Sequence, residues 1–454
     1  MTYLGPIIAV LFIIVVATLL IKKYYPHAVL LISGIAMLVT GFFLDKKLPS
    51  LVNDTGFFGF DLFRYIKESF ADTNAGVGLM IMAIGGFVAY IDKSGASKSL
   101  VYLSMKPLSL FKKRPYILAS LVIPIGQLLF VCIPSAAGLG LLLMASVFPI
   151  LINLGISRLS AVSVITACTA FAVGPASAIT ASASDIIEKD TILFFMQDQI
   201  PLVIPLSISM MITYYFVNRY FDKKENKDDK EPIKVEELEL TAPLYYAIIP
   251  ILPLILLIVF SGLFNIFETP ITLDTTTAMF ISLGVALIFE LIRKKNFRAV
   301  LDSLKIFWDG MGNIFKTVVT LIIAADIFSK GLIALGFIDG LLEFSQGLGF
   351  EAVGISIILT VMIFLASMLM GSGNASFFSF GPLVPKIAAS LGINSSSMIL
   401  PMQLSASMGR TVSPVAGVLI ATAEIAKVNT FQIVKRNLIP LVVALVVMLT
   451  YHFI

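Results

Sequence analysis

A chain of 454 residues that is 58% hydrophobic and 13% charged, with a mean hydropathy of +0.97, carries more apolar surface than a water-soluble core can enclose, so lipid is its solvent. Its net charge of +4 gives no reason to expect a nucleic-acid partner, because in a membrane protein the asymmetry of the loops is informative and the total is not. Cys132, Cys168, His27 and His452 are too few for a disulfide framework or a Cys/His metal site, so no metal and no cofactor is expected.

Apolar runs long enough to cross the hydrocarbon recur along the whole length, without the short alternation of transmembrane strands, and the expected fold is an all-α polytopic membrane protein. In chain order, residues 1–218 read as spans over 5–21 and 27–44, an amphipathic stretch over 57–70, a span over 74–92 and an interfacial arm over 94–112. A hairpin over 115–153, a broken span over 158–183 and a last span over 199–218 complete this half. The first run has no basic residue before it and is followed by Lys22 and Lys23, so it reads as a retained span and not as a signal peptide. Residues 219–241 are dense in charge and read as a solvated linker. Residues 242–454 repeat the order, with 242–264, 275–292, 296–309, 313–330 and 331–348, then a hairpin over 352–391, a broken span over 396–424 and a last span over 430–453.

The two halves echo each other locally. "PSAAGLGLLLMASVFPILINLGI" at Pro134 to Ile156 is matched by "MGSGNASFFSFGPLVPKIAASLGI" at Met370 to Ile393, and Gly174-Pro175 by Ser413-Pro414. With five crossings and one re-entrant hairpin per half, the repeats are expected to be inverted. A cytoplasmic linker places most of the 32 Lys and Arg on its own side, including Lys112, Lys113, Arg114, Arg293, Lys435 and Arg436. The opposite side is acidic at Asp185, Glu188, Glu268 and Glu351, and both termini are expected there.

Irregular backbone is tolerated in hydrocarbon only where it lines a cavity or is packed in protein. Four matched places depart from helix: the tips Pro134 to Gly138 and Gly371 to Ser376, and the breaks Thr169 to Ser177 and Ser407 to Gly417. Each tip starts a short helix whose free N–H groups and positive dipole end suit an anion. Ser135, Ser372, Asn374, Ser376, Thr169, Ser177, Thr411 and Ser413 add neutral donors, a chemistry that holds a carboxylate and then releases it. Small residues also let helices pack closely in membranes, but four such places in repeat-related positions favour a binding site. Arg410 is the basic residue within an apolar span, where it serves either as counter-charge to a substrate carboxylate or as partner to backbone carbonyls. Asp326, Asp309 and Glu424 lie near predicted span ends, at solvated or headgroup level. The sequence has no nucleotide-binding loop, no arginine ladder and no acid/base constellation in a span, so the expectation is a gradient-driven carrier and not an enzyme. An anion channel uses the same donors and is the alternative of another class.

In this order and spacing, "SAAGLGLLLMASVFP", "GSGNASFF", "MGRTVSPVAGV" and "KRNLIP" resemble the anaerobic four-carbon dicarboxylate carriers of the DcuC family, over essentially the whole chain. The resemblance implies transport of succinate, fumarate or malate across a bacterial inner membrane, by exchange or coupled to H⁺ or Na⁺. It also implies an elevator-type homodimer of the wider ion-transporter superfamily, with lipid around it. By that likeness Ser135, Gly138, Ser372, Gly373, Asn374, Ser376, Arg410, Thr411 and Ser413 match motif positions, and Ala136, Thr169 and Ser177 complete the candidate substrate-binding set. The family's first tip usually reads Ser-Ser-Ala-Thr-Gly, whereas here Pro134 and Ala137 replace two hydroxyls, and Ser376 stands where Pro is common. Another small anion, such as a hydroxy acid or monocarboxylate, is therefore the nearest alternative substrate.

Overall fold

A computed structural model describes residues 4–111, 113–224, 239–262, 271–347 and 351–453. The centre of the charged linker, Lys112 and Glu268 lie outside the described residues. Among the described residues nine helices are long and apolar enough to cross a membrane, and every regular element is helical.

The first half comprises α1 (Leu4–Ile21), α2 (Pro26–Phe43), α3 (Phe58–Thr73), α4 (Leu79–Ser94), α5 (Ala96–Met105) and α6 (Pro115–Cys132). It continues with α7 (Ala136–Ser146), α8 (Phe148–Asn153), α9 (Arg158–Ala167), α10 (Ala178–Ile186), α11 (Thr191–Phe194) and α12 (Ile200–Lys224). The second half opens on a 3₁₀ segment, Leu244–Ile251, and runs through α13 (Leu252–Val259), α14 (Thr275–Lys294), α15 (Phe297–Ile314), α16 (Thr320–Ala334) and α17 (Phe337–Gly347). Then follow α18 (Ala352–Met370), α19 (Gly373–Phe380), α20 (Val384–Leu391), α21 (Ser395–Thr411), α22 (Gly417–Ala426) and α23 (Thr430–Phe453).

Burial separates these helices by role. On α1, Ile7, Leu11, Ile14 and Val15 are each more than half exposed, as side chains facing lipid are. By contrast α9 is buried at every position and α21 almost throughout, the pattern of a helix surrounded by protein. The elements pack crosswise between the halves: α2 on α16 and α14 on α4, α3 on α16 and α15 on α4, α1 on α17 and the 3₁₀ segment on α5. Gly34 makes the first of these contacts close, since a methyl there would sit 2.6 Å from the backbone of Ile327.

Three details differ from the sequence reading. The second amphipathic stretch continues through a π-helical turn into the following span, giving one helix over Phe297–Ala334, whereas the first is set off from its span by a kink at Gly76, whose φ −106 and ψ −114 are not helical. Second, α12 runs on through Arg219 to Lys224, so the N-terminal part of the presumed linker is helical and Asp222 is only 5% exposed. The cause is a set of partners that charge counting does not reveal. Asp222 Oδ1 accepts from Arg436 Nη1 and Ser157 Oγ at 2.6 Å each and from Ser160 Oγ at 2.8 Å. Arg436, counted above as a loop charge, is itself 2% exposed. Third, Asp326 lies inside α16 and not at a solvated end; its Oδ2 accepts from Lys330 Nζ at 2.7 Å and from Ser69 Oγ at 2.5 Å, which ties α16 to α3.

Candidate functional site

Both tips are built the same way. After α6, Ile133 and Pro134 lead into Ser135, whose extended backbone and side chain cap α7 by accepting from the Gly138 N–H at 3.1 Å. After α18, Gly371 turns the chain at φ +72, a left-handed conformation that glycine adopts without strain. Ser372 then caps α19 by accepting from the Ala375 N–H at 3.2 Å. Each cap contributes about 1 kcal/mol. Since the caps serve the third N–H of each helix, Ala136 and Ala137 at the first tip, and Gly373 and Asn374 at the second, keep N–H groups with no intrahelical acceptor. Asn374 is half-buried, as are Ser135, Ala136 and Gly138.

Each hairpin clasps the break of its own half. A methyl at Gly126 of α6 would lie 2.2 Å from Cys168 Sγ, and one at Gly373 would lie 2.9 Å from the Ala406 carbonyl oxygen. Gly409 of α21 approaches α18 so closely that a methyl there would stand 2.2 Å from the Phe364 carbonyl oxygen. Gly409→Ala is accordingly expected to destabilise the protein by about 1–3 kcal/mol, as overpacking does. A thermal melt in detergent checks this, and an unshifted melt means the two helices are further apart. The tip helices also reach across: α7 packs on α22 and α10 on α19.

Several predicted donors are occupied by their own backbone. The Thr169 hydroxyl donates to the Thr166 carbonyl at 3.0 Å, Thr411 to Ser407 at 3.0 Å and Ser376 to Gly373 at 3.0 Å. The Ser177 hydroxyl donates to the Ala172 carbonyl at 3.3 Å, and Ser413 Oγ accepts from the Val415 N–H at 3.4 Å. These hydroxyls hold the irregular backbone in shape, as buried peptide groups require.

Arg410 stands in the last turn of α21, where the helix dipole favours a cation. Its Nη2 donates to the Thr169 carbonyl of the first break at 2.5 Å, and its guanidinium lies 5.9 Å from the Phe130 ring centroid. One break thereby supplies the charge and the other a carbonyl to receive it. Arg410 Nε is nevertheless buried without a hydrogen-bond partner, and so is Ser407 Oγ, one turn earlier on the same face. Orphaned buried polar groups are rare because each forfeits the hydrogen bond it had in water. Both orphans lie on α21, Ser407 against Gly373 of the second tip and Arg410 against Thr169 of the first break.

Sequence reasoning passed over Ser407 as an individual residue, and it also missed two glutamines. Gln403 Nε2 donates to the Ala172 carbonyl and Thr180 Oγ1, both at 2.9 Å, and Gln403 Oε1 accepts from Gln199 Nε2 at 2.9 Å. Gln199 Oε1 accepts in turn from the Gly174 N–H at 2.9 Å. Both amides are fully buried, and between them they fix the first break from α21 and from the turn before α12. For Gln403, an uncharged polar residue inside an apolar span is the signal; Gln199, next to Asp198 at the start of a span, carries none. The end of α6 and the first break present Val131, Cys132, Pro175 and Ala176 to a narrow apolar cleft that Phe87 and Met279 also line.

The sequence matches the family described as C4-dicarboxylate anaerobic carrier, DcuC, over residues 4–454. It is 35% identical over 450 residues to the anaerobic C4-dicarboxylate transporter DcuC of Escherichia coli K12, covering 99% of this chain and 96% of that one. In structure it is similar to the YdaH transporter of Alcanivorax borkumensis, with a TM-score of 0.60 and 12% identity over 94% of this chain and 98% of that one. MtrF of Neisseria gonorrhoeae is comparable, with a TM-score of 0.59 and 13% identity over 95% of this chain and 96% of that one. At such identity these two likenesses speak for the fold alone. With an all-helical membrane fold and a match along nearly its full length, the chain belongs to the DcuC family of C4-dicarboxylate carriers and is a transporter, not an enzyme.

Proposed function

We propose that this protein is a secondary active transporter of C4-dicarboxylates of the succinate, fumarate and malate class in a bacterial inner membrane, working by exchange or with a coupled H⁺ or Na⁺. The observation that carries this reading is the pair of orphaned groups on α21, Arg410 Nε beside the first break and Ser407 Oγ beside the second tip, whose first N–H groups are uncommitted. One carboxylate of the substrate accepts from them. The other accepts from the N–H groups of Ala136 and Ala137 at the first tip, where backbone alone is offered.

In this reading the halves are inverted repeats, 1–218 and 242–454, with the linker cytoplasmic and both termini outside. The crosswise pairing of α2 with α16 and α14 with α4 supports it. The hairpins and broken helices travel as one body against the remaining spans of a homodimer. A cleft lined by Val131, Cys132, Pro175 and Ala176 supports an elevator, because an apolar seam has no hydrogen bonds to break as the parts slide.

Radiolabelled succinate uptake into proteoliposomes preloaded with succinate, fumarate or nothing tests the proposal. Uptake accelerated by internal dicarboxylate is the expected result, and a gradient of H⁺ or Na⁺ imposed in parallel identifies the coupling. Unaccelerated, non-saturating flux would mean a channel. Saturable counterflow with lactate but none with succinate would assign a monocarboxylate or hydroxy acid instead.

A further inference from the structure

The run "KRNLIP" near the start of α23 contains two fully buried polar residues that touch neither tip. Asn437 Nδ2 donates to Thr166 Oγ1 and to the Thr411 carbonyl, both at 3.0 Å, and its Oδ1 accepts from the Tyr214 hydroxyl of α12 at 3.1 Å. Thr166 is in the last turn of α9 and Thr411 ends α21, so the two amide protons of one side chain are divided between the two broken helices. Next to this bridge Arg410 makes the reciprocal contact, from α21 to the Thr169 carbonyl just beyond α9. Arg436 sets the rotation of α23 that allows it, with Nη1 donating to Ser160 Oγ and Asp222 Oδ1 at 2.6 Å each.

We propose that Asn437 is a positioning residue of the anion site: it holds the C-terminal ends of α9 and α21 in register and so fixes the aim of Arg410 between the breaks. The proposal rests on the reading above that the second break receives a carboxylate. The ends of α9 and α21 are the negative ends of two helix dipoles, brought side by side inside the protein. Asn437 and Arg410 are donors shared between them, added to the packing of α22 on α9. Without the amide the Thr411 carbonyl loses its partner, the last turn of α21 loosens, and Arg410, one residue earlier, loses its fixed origin.

Asn437→Leu keeps the volume and removes the amide, whereas Tyr214→Phe removes only the hydroxyl that orients it. Two readouts apply to both variants in the full-length protein. The first is hydrogen-exchange mass spectrometry in detergent without substrate, on peptides covering residues 169–177 and 407–417. The second is succinate counterflow in proteoliposomes. Faster exchange at both breaks together, with the hairpin arms unchanged, is expected for Asn437→Leu. Its KM should rise about tenfold, the effect of one orphaned buried carbonyl, with Vmax kept within about threefold. Tyr214→Phe should move both readouts the same way by less, and it decides the matter if Asn437→Leu does not fold. Unchanged exchange at the breaks overturns the proposal, and so does a fall in Vmax with KM unchanged, the signature of a merely structural side chain. If the wild type takes up no succinate, the dicarboxylate reading fails by itself, and the exchange measurement still decides the role of Asn437.

Discussion

Arg410→Gln is expected to abolish dicarboxylate exchange, a loss of more than about thirtyfold, while the protein still inserts and purifies in normal yield. The magnitude follows from the position of the side chain. Arg410 is held by a 2.5 Å bond to the Thr169 carbonyl and lies over Phe130, with Nε buried and unsatisfied. Truncating one member of a buried charged contact costs about 2–5 kcal/mol, and under the proposed site the contact removed is the one that substrate completes. Arg410→Lys keeps the charge but not the planar fork, so it should recover only part of the activity. Asn374→Ala provides the companion test, because Asn374 is half-buried at the second tip and its removal carries little stability cost. If both the Gln and the Ala variants transport as the wild type does, the site lies elsewhere. A variant that melts earlier but binds substrate with unchanged KM would mean that Arg410 serves only the backbone of the breaks.

The second large effect is on stability. Arg436→Gln should destabilise the protein by about 3–5 kcal/mol, because it leaves the Asp222 carboxylate buried at 5% exposure without its cation. Removing the acid with Asp222→Asn takes the carboxylate from the buried guanidinium, which keeps Ser160 Oγ and the Phe221 ring, and should also destabilise the protein. The double variant Asp222→Asn with Arg436→Gln should cost less than the sum of the singles, since groups in one network are coupled by roughly 0.5–3 kcal/mol. Thermal melting in detergent measures all three. Strictly additive losses would mean that water reaches the pair and screens each charge independently.

Much of the molecule was legible because lipid imposes strict local rules. A helix must satisfy its own backbone in hydrocarbon, so spans declare themselves by length and hydropathy, and wherever Gly, Pro and Ser interrupt them the backbone must be packed or functional. On that ground several predicted spans coincide with observed helices within a few residues, as at α1 (Leu4–Ile21), α2 (Pro26–Phe43), α14 (Thr275–Lys294) and α23 (Thr430–Phe453). Element ends were less legible. Arg219 to Lys224 looked like solvated linker because charge usually marks exposure. They are helical because Asp222 meets Arg436, Ser157 and Ser160, partners that no local pattern announces.

The candidate site divides in the same way. From the residues alone came the tips, the breaks and Arg410, since each is a local exception in an apolar background. What those exceptions bond to came only from the tertiary structure. The hydroxyls of Thr169, Thr411 and Ser376 turn to carbonyls of their own segments, while Arg410 Nε and Ser407 Oγ are left unsatisfied at the second break. Gln199, Gln403 and Asn437 read as ordinary polar residues until folding placed the glutamines on the first break and Asn437 across the ends of both broken helices. The sequence by itself determined an all-helical membrane carrier with four matched interruptions, because the solvation of backbone in lipid is a local requirement. Only the tertiary structure decided which donor meets which acceptor across some two hundred residues, because the partner of a buried side chain is set by what packs against it and not by its neighbours along the chain.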